Sequence, residues 1–177
     1  MPFHDQYVEV MLTAEQIQEK VAVLGKQITQ DYQGKELTLV GIMKGSIFFF
    51  TDLARHIDLP ITLELMGVSS YQGGTETTGE VRITTDLTKP MNGRHVIVVE
   101  DIVDTGLTMQ FLLENLKARH PASLKVATLL EKPSRAKVKV PIDYKGFVIE
   151  DRFVVGYGLD YGEKYRNLPF VGVMRTD

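Results

Sequence analysis

Apolar residues recur at helical spacing from Ile17 through Val21 and Leu24 to Ile28. Thr13, three residues ahead of Gln16, offers a capping box in front of them, so a helix is predicted from Thr13 to near Gly34. The period then changes. "LTLVGI" (Leu37 to Ile42) is an unbroken apolar run, the pattern of a strand buried on both faces. It passes through the turn "MKGS" into a second predicted helix, Ser46 to about His56. Pro60 restarts an extended run, Ile61 to Leu65, and "VRITTD" alternates as a half-buried strand does, followed by the turn "KPMNG". "VIVV" (Val96 to Val99) is another buried run. Met109, Leu112, Leu113 and Leu116 mark a helix, and "LKVATLL" (Leu124 to Leu130) marks a further strand. Strands alternating with helices predict an α/β fold, a mostly parallel twisted sheet flanked by helices.

Two segments do not follow this rhythm. "GVSSYQGGTETTGE" carries Gly, Ser and Thr without apolar spacing and reads as a long mobile loop too polar to hold a core. From Lys145 onward, short β-like runs alternate with Gly and aromatic residues, the pattern of a small flap or edge added to the sheet.

Composition limits what such a fold can do. The chain has 177 residues, 44% hydrophobic and 24% charged, enough for one core and one domain, with no internal repeat or linker. A net charge of −3 gives no basic field for nucleic acid or anionic membrane, which points to a small substrate. Cysteine is absent, so disulfides and thiolate metal sites are excluded; His4, His56, His95 and His120 are too scattered for a metal cluster. "MPFHDQYVEVML" lacks a signal peptide's basic and apolar segments, and no run approaches membrane-spanning length, so a cytoplasmic protein is expected. No Walker sequence occurs, and Gly156 and Gly158 in "GYG" are too little for a dinucleotide fingerprint.

The chemistry concentrates in "VIVVEDIVDTGLTM" (Val96 to Met109), where a buried strand runs into Glu100, Asp101 and Asp104 and closes on a Thr and Gly turn. Ligands of open α/β sheets sit beyond the carboxyl ends of strands, where helix N-termini present backbone amides. Asp104 to Thr108 offers successive N–H groups, the hydroxyls of Thr105 and Thr108 and a helix dipole to one phosphate, with Gly106 allowing close approach. The carboxylates require a partner that donates, and the vicinal hydroxyls of a ribose do so, with magnesium screening the remaining charge. A phosphorylated ribose satisfies both halves of the motif.

Other readings of the motif are weaker. "IVDTG" matches the loop of aspartic proteases, whose chemistry pairs two such loops on a β-rich fold, whereas this chain has one copy between strand and helix. A phospho-acceptor receiver domain also has acidic strand ends and a Lys-Pro (Lys132, Pro133) after a later strand, but its acidic pair belongs near the first strand. Simple capping of the following turn explains one acid better than three.

"VVEDIVDTG" resembles the phosphoribosyl pyrophosphate signature of type I phosphoribosyltransferases. The chain is similar over nearly its whole length to the hypoxanthine-guanine phosphoribosyltransferases of bacterial purine salvage. "GIMKGS", "SSYQGGTETTGEV", "LLEKPSR" and "FVVGYGLDYGEKYRNLP" carry the resemblance in the matching order. It implies one domain over 1–177, with a core of about 12–140 and a hood from 1–11 and 141–177. It also implies that a 6-oxopurine displaces pyrophosphate from phosphoribosyl pyrophosphate through a transition state like an oxocarbenium ion. Hypoxanthine and guanine are the implied acceptors, with xanthine a further candidate and Mg2+ the cofactor.

The resemblance also implies residue roles. Lys44 and Gly45 would hold pyrophosphate through backbone amides, and Arg166 would neutralise it. Glu100 and Asp101 would bind the ribose hydroxyls directly or through magnesium, with Asp160 on a second magnesium. Asp104 would be the general base for the purine ring nitrogen. The ribose phosphate would lie on the loop that Ile102 and Val103 lead into, Asp104, Thr105, Gly106, Leu107 and Thr108. Phe153 would stack on the purine, the backbone of Val154 would read its edge, and Lys132 would donate to its exocyclic oxygen. Ser70 and Tyr71 would be closing contacts of the polar loop. A homodimer or homotetramer is implied too, although "IFFF" (Ile47 to Phe50) fits a subunit interface and a core facing two elements equally well. A regulator that senses phosphoribosyl pyrophosphate and binds RNA or DNA is disfavoured because the chain lacks a basic stripe.

Overall fold

The computed structural model describes residues 6–70 and 80–175. In chain order its elements are β1 (Val8–Leu12), α1 (Ala14–Asp31), β2 (Leu37–Met43), α2 (Ile47–Arg55), β3 (Thr62–Ser70), β4 (Val81–Thr85), β5 (His95–Val103), α3 (Leu107–Lys117), β6 (Ser123–Glu131), a 3-10 turn (Pro133–Arg135), β7 (Tyr144–Val148), β8 (Val154–Val155) and β9 (Val171–Met174).

The capping box forms. The Thr13 hydroxyl accepts from the Gln16 amide at 3.1 Å, and the Thr13 amide donates to the Gln16 side-chain oxygen at 2.8 Å. Two donors at the start of α1 are thereby satisfied reciprocally. Thr13→Ala is expected to cost about 1 kcal/mol and to lower the melting temperature by about 2–4 °C. Thermal unfolding reads this directly, and an unchanged Tm would mean that packing alone secures the helix start.

Six strands form the main sheet in the order β4-β3-β2-β5-β6-β7; all neighbours are parallel except β3 and β4. Its central strands are apolar on both faces because both are covered. Leu37 and Leu39 of β2 and Ile97 and Val99 of β5 pack with α1 and α2, whereas Val40, Ile42, Val96 and Val98 pack with α3. The run "IFFF" divides between core and surface: Phe49 and Phe50 are buried, while Ile47 and Phe48 are exposed on α2.

From β2 the chain crosses through α2 to β3 on one side; from β5 it crosses through α3 to β6 on the other. The strand order therefore reverses between β2 and β5, which opens a crevice at their carboxyl ends. β5 also outruns its neighbour: its pairing with β2 ends at Val99, but its pairing with β6 continues through Val103. Glu100 and Asp101 accordingly lie within the strand rather than beyond it, opposite β6 on one side and past the last β2 pair on the other.

β1, β9 and β8 make a separate antiparallel sheet that joins the N-terminal segment to the C-terminal one. Val154, Val171 and Val173 bury one side of it in the α1–α2 core, and Val8, Val155, Leu168 and Phe170 form a small cluster of their own. The segment 141–177 does not belong wholly to this hood, because β7 is a parallel strand of the main sheet. Tyr144 secures it: the buried ring's hydroxyl donates to Asp31 of α1 at 2.6 Å. β3 likewise extends beyond Leu65, so Gly67 to Ser70 pair with β4 instead of starting a loop.

Candidate active site

Three segments meet at the crevice. The first is the turn after β2, where the Met43–Lys44 peptide is cis and Gly45 lies so close to Asp101 that a Cβ there would overlap the carboxylate. Contact with Asp101 brings this turn against the acidic end of β5.

The second is the strand end itself and the loop after it. Glu100, Asp101, Ile102, Val103, Asp104, Thr105, Gly106, Thr108 and Met109 line one cleft of about 240 Å³. Gly106 is left-handed at φ 86° and occupies the N-cap of α3, where it provides no capping side chain. The Leu107 amide turns back to the Thr105 hydroxyl at 3.3 Å. Lys137 and Val138 donate to the Thr105 carbonyl at 2.9 and 3.2 Å, which pins the loop from behind. Burial, together with the neighbouring carboxylate of Asp101, pushes the Glu100 carboxyl well above the ordinary range.

The third segment borders a second cleft, lined by Ile102, Asp104, Lys132, Arg135, Asp151, Phe153, Val154, Leu159 and Asp160. Ile102 and Asp104 line both clefts, so these residues are where the two join. Lys132 is only 7% exposed, and its ammonium lies 3.9 Å from Asp151, too far for a hydrogen bond. Its amide is held by the Val103 carbonyl at 3.0 Å, which ties the end of β6 to the end of β5. Phe153 is 54% exposed, with Tyr161 set edge-on to it at 5.7 Å between centroids. Aromatic surface left open beside a buried cation suits a flat, polar-edged ligand.

The loop from Gly156 to Arg166 closes the far side. The Tyr157 hydroxyl donates to Asp52 of α2, which also accepts from Gln18 of α1 at 3.0 Å. Burial and the hydrogen bond to Asp52 raise the Tyr157 phenol's pKa, so it stays protonated as a latch. Gly158 is pressed against the Gly45 carbonyl. Arg166 donates to the Gly158 carbonyl at 2.6 Å and lies 3.5 Å from Asp160 and 3.2 Å from Glu163.

Most residues singled out from the sequence thus gather along one edge of the sheet. Asp160 lines the second cleft and is engaged by Arg166 and by the Glu163 amide, at 2.9 Å. It does not join Glu100 and Asp101: among the described residues no three His, Cys, Asp or Glu side chains form a metal-sized group. Ser70 is the last residue of β3, paired with Val81, and Tyr71 lies outside the described residues. Sequence reasoning missed Arg135, whose Nε donates to Asp104 at 2.7 Å and which lies 3.6 Å from Asp151. It also missed Glu163, which sits 2.8 Å from the Lys44 ammonium. Both lie inside quoted motifs, "LLEKPSR" and "FVVGYGLDYGEKYRNLP", but Asp104 and Lys44 are 31 and 119 residues away from them.

Residues 11–162 match the phosphoribosyl transferase domain. The chain is 48% identical over 174 residues to a hypoxanthine-guanine phosphoribosyltransferase of Staphylococcus aureus, covering 98% of this chain and 97% of that one. A crystal structure of a hypoxanthine phosphoribosyltransferase from the same organism matches with a TM-score of 0.94 over 99% of this chain and 95% of the other, at 48% identity. The hypoxanthine phosphoribosyl transferase of Trypanosoma cruzi, 37% identical, matches with a TM-score of 0.91 over 96% and 93%.

Proposed function

The chain belongs to the phosphoribosyl transferase family, and from that membership we propose that it transfers the 5-phosphoribosyl group of phosphoribosyl pyrophosphate to hypoxanthine or guanine. The products are IMP or GMP and pyrophosphate, and the setting is purine salvage. One observation carries the reading: an acidic strand end with a Thr and Gly loop shares Ile102 and Asp104 with a cleft that holds a buried lysine and an open aromatic ring. A ribose phosphate fits the first cleft and a 6-oxopurine the second, so the anomeric carbon falls at their junction.

Each residue then has a task. The amides and hydroxyls of Asp104 to Thr108 hold the ribose phosphate at the start of α3. Asp101 and Glu100 accept from the ribose hydroxyls. Asp104, at the junction, takes the proton from the purine ring nitrogen as the glycosidic bond forms. Phe153 stacks on the base, Lys132 donates to its exocyclic oxygen and the Val154 backbone reads its edge. Lys44, Gly45 and Arg166 hold the leaving pyrophosphate. Ser70 and Tyr71 are assigned to closure over the site, which limits attack by water on the sugar cation.

Glu100 and Asp101 suit magnesium that arrives with its substrate, because this ion takes one or two carboxylates, with phosphates and water completing the shell. Asp160 is the candidate for a second ion. When bound, magnesium supplies positive charge that offsets the developing charge on pyrophosphate. Turnover is therefore expected to disappear in excess chelator and return with added magnesium; full activity in chelator would remove the metal from this reading.

The exposed Ile47 and Phe48 support a homo-oligomer, a dimer or tetramer. No described helix is long and apolar enough to cross a membrane, and a cytoplasmic location accompanies the salvage role. Pyrophosphate release from phosphoribosyl pyrophosphate, measured with hypoxanthine, guanine, xanthine and adenine in turn, tests the whole proposal. Release with none of the 6-oxopurines would refute it.

A further inference from the structure

Glu163 has no part in the reaction described above, yet it contacts the side chains of two residues assigned to pyrophosphate, Arg166 by its charge and Lys44 by its backbone amide. Its carboxylate lies 2.8 Å from the Lys44 ammonium and 3.2 Å from the Arg166 guanidinium. Lys44 and Arg166 come from opposite sides of the crevice, one from the turn after β2 and the other from the hood loop, so Glu163 bridges them. It also sits where the backbone does not favour it. Tyr161 and Lys164 exchange amide and carbonyl hydrogen bonds at 3.0 and 3.1 Å around Gly162 (φ 58°) and Glu163 (φ 69°). A two-residue turn with both central residues left-handed prefers Gly or Asn at its second position, and a long acidic side chain there carries a local cost. The hydrogen bond from Lys44 and the charge of Arg166 hold the Glu163 carboxyl below its usual range, so it is an anion at neutral pH.

We propose that Glu163 is a built-in competitor of pyrophosphate, an affinity-setting carboxylate that holds Lys44 and Arg166 and yields them to the phosphates. The proposal rests on the pyrophosphate reading of Lys44 and Arg166 and extends it from the Lys44 amide to its ammonium. It gives the residue a use that turn formation does not: a site that grips pyrophosphate more weakly releases it sooner, and release is a common limit on turnover. An exposed ion pair contributes little by itself, so the effect is modest and salt-sensitive.

The test is calorimetric titration of the full chain with inorganic pyrophosphate in magnesium-containing buffer, comparing wild type, Glu163→Gln and Glu163→Gly. With 64% of its side chain exposed, Glu163 can lose its charge without disturbing a core. Both variants are expected to bind pyrophosphate about 3- to 10-fold more tightly, with the gap narrowing as salt is raised. Unchanged or weaker binding by Glu163→Gln overturns the competitor role while leaving the pyrophosphate site intact. Tightening by Glu163→Gly alone also overturns it, because backbone relief rather than charge is then responsible. If wild type and both variants give no binding heat and do not compete with phosphoribosyl pyrophosphate, the pyrophosphate reading of Lys44 and Arg166 fails, and the proposal falls with it.

Discussion

Asp104→Asn is expected to slow the chemical step by roughly 10²- to 10⁴-fold, because it removes the proton acceptor while keeping the side chain's shape. Asp104 lines both clefts, so in the proposed reaction a proton would leave the purine ring on one side of it as the sugar bond forms on the other. Arg135 donates to Oδ1 at 2.7 Å, which orients the carboxylate and leaves Oδ2 as the candidate acceptor. Asparagine can still accept from Arg135 through its amide oxygen, but it cannot take up a proton at neutral pH. Nucleotide binding should therefore survive, because the proposed hold on the ribose phosphate is mainly through backbone amides and the Thr105 and Thr108 hydroxyls. The pair with Arg135 is surface-exposed and contributes at most about 1 kcal/mol, so an unfolded variant is not the expected explanation for lost activity. Single-turnover formation of IMP is the measurement, and an unchanged rate would assign the proton to another group.

Adenine should be a very poor substrate, by a factor on the order of 10⁴ relative to hypoxanthine. The reason proposed is Lys132, a buried ammonium that lies 3.9 Å from Asp151, beyond hydrogen-bond distance. Such a group needs an acceptor, and lysine can only donate. The carbonyl of hypoxanthine or guanine provides one; the amino group of adenine presents another donor and leaves a desolvated charge without a partner. Lys132→Gln, which can accept as well as donate, should narrow the gap mainly by losing activity on 6-oxopurines. Comparable wild-type rates on adenine and hypoxanthine would remove both the role of Lys132 and the substrate class.

Which parts of this site were readable in advance follows from how local each signal is. The start of α1 is set by Thr13 and Gln16, three residues apart, and its face by Ile17, Val21, Leu24 and Ile28. Apolar runs in β2, β5 and β6 announced strands covered on both sides, and the sheet buries them so. The acidic strand end and its Thr and Gly loop are contiguous in the chain, which is why their chemistry showed in the sequence before any fold was known. Strand length was less legible: Glu100 to Val103 extend β5 because β6 continues alongside them, a pairing that depends on another segment. β7 was hidden for a similar reason, since its five residues become a main-sheet strand only through β6 and the bond from Tyr144 to Asp31.

By itself, then, the sequence determined the helix and strand periods, the order in which they alternate and the identity of the central loop, because neighbours along the chain specify each of these. Tertiary structure alone decided that β2 and β5 lie side by side, so that Gly45 meets Asp101 and the two clefts meet at Asp104. It alone paired Arg135 with Asp104 and Glu163 with Lys44. Opposite charges attract wherever the fold brings them together, and no periodicity along the chain records which distant partner that will be.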